Sequence, residues 1–149
     1  MLSRRGLFGR LFGGAALGTL ANGASLAAAA TGGVPKVAYH LSDLEKVTFV
    51  LGNIANHIEG MGGPDKVAIE LVVHGPALLA FRADRANPDI TRRLKATADA
   101  GVKLAACGNT LDAQGIGVSD LLPGFVRVSE GGVVRLAALQ AEGYAYLRP

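Results

Sequence analysis

A single cysteine, Cys107, occurs in this chain of 149 residues, and tryptophan is absent. One cysteine excludes an intramolecular disulfide, and the lack of a C-x-x-C pair excludes a dithiol redox cycle. No G-x-G-x-x-G follows the first apolar run and no P-loop signature occurs, so nucleotide binding by those routes is not expected. No pair of His or Cys has metal-ligand spacing. Only a cluster made in space by His40, His74 and Cys107 could hold zinc or haem, and neither a metal nor a cofactor is expected.

Charge of either sign is also scarce in the first quarter of the chain. Arg4, Arg5 and Arg10 are the only charged residues before Lys36. Together they account for the whole formal net charge of +3. Taking these three from the fifteen basic residues leaves twelve, equal to the twelve acidic ones. The remainder is therefore near neutral, and Arg92-Arg93 with Lys95 reads as a solvated helix face. Nucleic acid is not an expected partner.

The basic start, Ser3-Arg4-Arg5-Gly6-Leu7-Phe8, is followed by an uncharged stretch containing Gly13, Gly14, Gly18 and Gly23. It ends on the small-residue run Ala27-Ala28-Ala29-Ala30. Twin arginines, a weakly apolar centre and a small-residue cleavage site read as a signal peptide of the twin-arginine type over residues 1–30. Leu7 and Phe8 stand in swapped order relative to the usual motif. Two other readings are a basic, Ala-rich tail and an uncleaved anchor, though the glycines make a poor membrane helix. A short linker, 31–35, leads to one domain over 36–149. The expected location is the periplasm, with the membrane involved only through the export signal.

About 120 residues are enough for one domain around one core. Lys36–Leu41 reads as a first strand. Ser42 and Glu45 stand as a capping box before an apolar stripe of Leu44, Val47, Leu51, Ile54 and Ile58, which predicts a helix ending at Gly60. Lys66–His74 is a near-continuous apolar run, the pattern of a buried parallel strand. Pro76–Phe81 reads as a short helix. Asn87-Pro88 caps another, with Ile90, Leu94 and Ala98 inward and Gly101 at its end. Val102–Ala106 is a third strand, followed by a short helix from about Thr110 and a further helical turn capped by Ser119. Phe125–Val128 is a fourth strand, Val133–Glu142 a helix, and Tyr144–Leu147 a last strand. Alternating strands and helices predict an α/β fold of three layers, α/β/α, around a mainly parallel sheet of about five strands.

In such sheets the functional crevice lies at the carboxyl ends of the strands. Chain order puts His40, His74 and Cys107 near those ends. Cys107 falls between a strand and a helix N-terminus, where free backbone N–H groups stabilise an anion and lower a thiol pKa. Gly108 allows close backbone approach, and Asn109 and Thr110 can cap the helix or donate to sulfur. Two readings stand for Cys107, a reactive thiolate or a small buried hydrophobe among its alanine neighbours. His74-Gly75 closes the second strand. Its imidazole could take a proton from the thiol or merely bond a carbonyl. His40 reads as a supporting residue and His57 as a helix-end or interface residue. Glu70 shares the face of His74 and needs a partner, from another subunit or from His74 itself.

The segments V-A-Y-H-L-S-D, N-I-A-N-H-I-E, I-E-L-V-V-H-G-P, A-A-C-G-N-T-L and L-Q-A-E-G-Y-A-Y-L-R-P together resemble the DsrE/DsrF-like family, in its branch of small single-domain proteins. The resemblance implies a three-layer fold and an oligomer, a trimer or hexamer. For the sulfur-relay members it implies a cysteine that carries sulfur as a persulfide, which maps onto Cys107. The expected function is that of an exported sulfur carrier or sulfurtransferase-like protein. Its partners would be a sulfane-sulfur donor and an acceptor thiol or protein. Gly75, Gly108, Asn109, Thr110, His74 and His40 would support the sulfur. The alternatives are an oligomeric module binding a small ligand or metal, with the cysteine incidental, and a subunit of a larger exported complex.

Overall fold

The computed structural model describes residues 33–149. The signal segment 1–30 and the start of the linker lie outside the described residues. Five strands form one all-parallel sheet: β1 (Lys36–Leu41), β2 (Ala68–Val73), β3 (Lys103–Cys107), β4 (Phe125–Val128) and β5 (Ala145–Leu147). Their order is β4-β3-β2-β1-β5. The chain steps outward from β1 to β4, then returns across the sheet to place β5 on the other side of β1.

The helices between the strands are α1 (Val47–Gly60), α2 (Pro88–Asp99), α3 (Gly108–Gln114) and α4 (Gly132–Ala141). Side-chain alternation divides each strand between two faces. Val37, Tyr39 and Leu41, then Ile69, Leu71 and Val73, then Leu104 and Ala106, join the larger core with Val50 and Ile54 of α1, Leu94 of α2 and Leu111 of α3. The opposite residues Ala38, Val72, Ala105 and Val128 make a smaller core with Leu136 and Leu139 of α4. Among the described residues the three-layer α/β/α arrangement is thus lopsided, with α4 alone on its second face. The short side chains of Ala38 and Ala105 let that one helix come close.

Local differences from the sequence reading have physical causes. Leu44 is 45% exposed and does not join the α1 stripe; Val50 takes the buried place. The capping box at Ser42 does not form. A 3-10 turn, Leu44–Lys46, precedes α1 with Asp43 at its N-cap and no side-chain cap bond. The Ser42 hydroxyl is engaged instead by Arg148, and its carbonyl accepts from the Ala77 N–H. At α2 the predicted cap is present: the Asn87 side chain accepts from the Asp89 N–H at 2.8 Å. Pro76–Phe81 lies in a 3-10 helix, Gly75–Phe81, rather than an α-helix. The turn Val118–Asp120 is capped from Gly117, whose N–H donates to the Asp120 carboxylate, and not from Ser119. The helix after Cys107 begins at Gly108, two residues before the expected start.

Candidate functional site

The site lies at the carboxyl edge of the sheet, on the face that α4 covers. Cys107 is the last residue of β3 and the N-cap of α3. It is a free thiol, 6% exposed. The parallel register pairs Val73 with Ala106, which brings His74 and Cys107 out side by side just beyond the pair. A cavity of about 90 Å³ opens beside the sulfur, lined by His74, Cys107, Asn109, Glu130, Gly131, Gly132, Val133 and Val134.

Two helix N-termini meet at this thiol. Gly108 begins α3 and Gly132 begins α4, so both present unpaired backbone N–H groups toward the sheet edge. Burial pushes the Cys107 thiol pKa up, but the Thr110 hydroxyl and the N–H groups of Gly132, Thr110 and Asn109 outweigh it, and the thiol is held below its ordinary value. Thr110 is oriented for this task. Its Oγ1 accepts from the Gly75 N–H at 3.0 Å, which leaves the hydroxyl proton to point elsewhere. Gly75 is fixed from a second side, because its carbonyl accepts from Gln114 Nε2 at 3.0 Å. Its φ of +60° places it in the left-handed region that glycine tolerates. Arg127, ion-paired to Asp112 at 2.7 Å, packs at the start of α3, where its guanidinium would stand 3.2 Å from a Cβ on Gly108.

The glycines here are needed for proximity. A Cβ on Gly108 would stand 2.8 Å from the Val128 carbonyl oxygen, and one on Gly131 2.7 Å from Asn109 Nδ2. The Asn109 side chain therefore packs on the Gly131 turn, while its backbone N–H serves the sulfur.

His40 sits on β1, beyond His74 as seen from Cys107. Its Nε2 meets His74 Nε2 at 2.5 Å, and its Nδ1 meets the Tyr146 hydroxyl at 2.6 Å. The His40 pKa is lowered to about 4, first by burial, then by the charges of His74 and Arg148, with Asp43 opposing. His74 is lowered as well, by burial and Arg148 against Asp43. Both rings are therefore neutral at pH 7. His74 shares the cavity with Cys107; His40 is one step removed. His57 stays in α1 and bonds the buried Tyr39 hydroxyl at 2.9 Å. Among the described residues no group of three or more His, Cys, Asp or Glu side chains is placed to hold a metal ion.

Glu70 finds its partner in Arg135 of α4, which grips both carboxylate oxygens at 2.6 and 2.7 Å. This corrects the expectation of a subunit contact or a link to His74. A bidentate guanidinium from the single covering helix satisfies a carboxylate that is 3% exposed. Sequence reading missed Gly131-Gly132, Arg127 and Tyr146 at the site. Only the Gly-Gly pair just ahead of an apolar helix carried a signal, that of a tight helix start.

An all-parallel sheet with a free thiol set at two helix N-termini on its carboxyl edge defines a small α/β protein. A family model described as the DsrE/DsrF-like family matches residues 12–149, and the chain belongs to that family. The chain is also similar to the solved structure of MTH1491, a protein of unknown function from Methanobacterium thermoautotrophicum. The two are 31% identical, with a TM-score of 0.68 over 77% of this chain and 99% of that one. The ychN protein of E. coli shares the fold at 18% identity, with a TM-score of 0.60 over 78% of this chain and all of that one. No curated protein matches.

Proposed function

We propose that this chain is an exported sulfur carrier in which Cys107 holds sulfane sulfur as a persulfide. The single observation that carries the reading is the meeting of α3 and α4 at one cysteine sulfur, with His74 on the same cavity. Family membership adds a broad association with sulfur relay. The Arg4-Arg5 start and the uncharged segment after it support export, and a homo-oligomer accords with the family resemblance.

Loading needs only the thiolate. The Cys107 sulfur attacks the outer sulfur of a donor such as thiosulfate; the donor S–S bond breaks, and sulfite leaves with its electron pair. No proton moves, and the charge of three is conserved on both sides. The resulting persulfide anion lies among the same N–H groups that hold the thiolate. Discharge does need a proton acceptor. His74 takes the proton of an incoming thiol, and that thiolate attacks the outer sulfur. The bond to Cys107 breaks, leaving the Cys107 thiolate, a new persulfide anion and one proton. The sulfane sulfur keeps its oxidation state throughout, so no external oxidant or reductant enters. The small cavity favours inorganic sulfane donors, or a thiol extended from its own molecule, over bulky compact ligands.

Treating the chain with thiosulfate or polysulfide, removing the excess and adding cyanide measures bound sulfane sulfur as thiocyanate. About one equivalent per chain is expected by this one-thiol stoichiometry, with none from Cys107→Ser. Equal release from both proteins sinks the proposal. If Cys107→Ala instead retains function, the chain is a binding module with an incidental thiol.

A further inference from the structure

Along the carboxyl edge, four side chains stand in a row across adjacent strands: Cys107 of β3, His74 just after β2, His40 of β1 and Tyr146 of β5. The register explains the row. Ala38 pairs with Tyr146, and His40 lies two residues further along β1 on the same face. His40 in turn pairs with Val72, two residues before His74 on the face that Val72 shares. Three of the four are linked by short hydrogen bonds. The His40 and His74 ring centroids are 4.7 Å apart with planes inclined by 25°. With Nε2 to Nε2 at 2.5 Å, that separation requires the two nitrogens to point at one another. The contact is therefore a head-to-head N–H···N bond rather than ring stacking.

We infer that His74, His40 and Tyr146 form a proton relay joining the Cys107 cavity to solvent at the β5 edge. Each neutral imidazole carries one N–H, and the distances accommodate two registers. In one register His74 donates from Nε2 to His40, His40 donates from Nδ1 to the Tyr146 oxygen, and the Tyr146 proton faces water. His74 Nδ1 is then bare, and it is the only ring nitrogen left for the cavity. A proton taken there moves the Nε2 proton of His74 to His40, the Nδ1 proton of His40 to Tyr146, and the Tyr146 proton to water. One proton enters, one leaves, and no ring stays charged. The second register, with Tyr146 donating inward, returns a proton by the reverse shift. Tyr146 is 40% exposed, whereas His40 is 9% exposed, so the tyrosine is the outlet. Asp43 and Arg148 flank the histidines with opposite charges.

The relay rests on the carrier reading for its purpose, since discharge to a thiol releases one proton. It differs from that reading in what tests it. Tyr146→Phe removes the outlet hydroxyl from an exposed ring and leaves the histidine pair in place. With Cys107 preloaded, discharge to a small thiol should slow about tenfold, a modest share of what general acid–base groups supply. The solvent deuterium isotope effect should change with it. Independently of any sulfur, NMR titration should show the His40 and His74 ring nitrogens titrating as a coupled pair, shifted together by Tyr146→Phe. His40→Gln should decouple His74, with added imidazole restoring part of the discharge rate. An unchanged rate and isotope effect in Tyr146→Phe, or two histidines that titrate independently, overturns the relay. If Cys107 takes up no sulfur at all, the carrier reading fails and the titration alone decides the relay.

Discussion

Gly132 approaches Cys107 so closely that a Cβ on the glycine would stand 3.3 Å from the Cys107 Cβ and 3.4 Å from the His74 Cβ. The start of α4 is thus wedged between the thiol and the imidazole, and this contact joins the second sheet face to the site. Gly132→Ala should keep the fold, because its φ is not in the left-handed region, while crowding the cavity. Alkylation of Cys107 should slow about tenfold through this misplacement, in keeping with the sensitivity of reaction to small shifts in geometry. Gly131→Ala should differ. Its φ of +96° and the 2.7 Å approach to Asn109 strain the backbone itself. A loss of about 1–3 kcal/mol in urea unfolding is expected.

The thiol should ionise below its ordinary value, because donors around the sulfur outweigh its burial. The pH dependence of alkylation measures this. Thr110→Val removes the hydroxyl that acts on the sulfur and accepts from Gly75. The midpoint should rise, because one hydrogen bond to the charged sulfur is lost. A midpoint unmoved by Thr110→Val would mean that the backbone alone sets the thiol.

The Glu70–Arg135 pair ties α4 to the middle of the sheet. Arg135→Ala strands a carboxylate whose side chain is 4% exposed, and should cost about 3 kcal/mol. Replacing both residues, Glu70→Leu with Arg135→Met, should cost less than Arg135→Ala alone, since no buried charge is left without a partner. Urea unfolding of the single and double variants distinguishes the two costs.

Stability should fall on acidification before the carboxylates protonate. His40 is lowered in the fold from 6.5 to about 4, and His74 is lowered too. A lowered histidine takes up its proton in the unfolded chain first. Stability is therefore full above about pH 6.5 and declines as pH falls toward 4, by roughly 3 kcal/mol at most for His40. His40→Gln should flatten that decline when unfolding free energies are compared across this window.

Much of the architecture could be read from local pattern. The strand Ala68–Val73 is legible in the apolar run Lys66–His74, and the start of α2 in the capping chemistry of Asn87-Pro88, because each is decided by neighbours in sequence. Chain order and strand direction were enough to bring His40, His74 and Cys107 toward one edge. Contacts made across the fold were not legible. The Gly132 N-terminus reaches Cys107 because α4 crosses the second face, and Arg135 meets Glu70 for the same reason. Tyr146 became a site residue through the return of β5 to the side of β1, a matter of strand order. Ser42 failed as a cap because Arg148, 106 residues away, engages its hydroxyl.

The central claim is that Cys107 carries sulfur, and intact mass spectrometry tests it most directly. The chain is incubated with polysulfide, freed of donor and weighed, then weighed again after addition of an acceptor thiol. The account predicts a gain of one sulfur atom that is lost to the acceptor and absent from Cys107→Ser. A chain that gains no sulfur under these conditions, or gains it equally as Cys107→Ser, would contradict it.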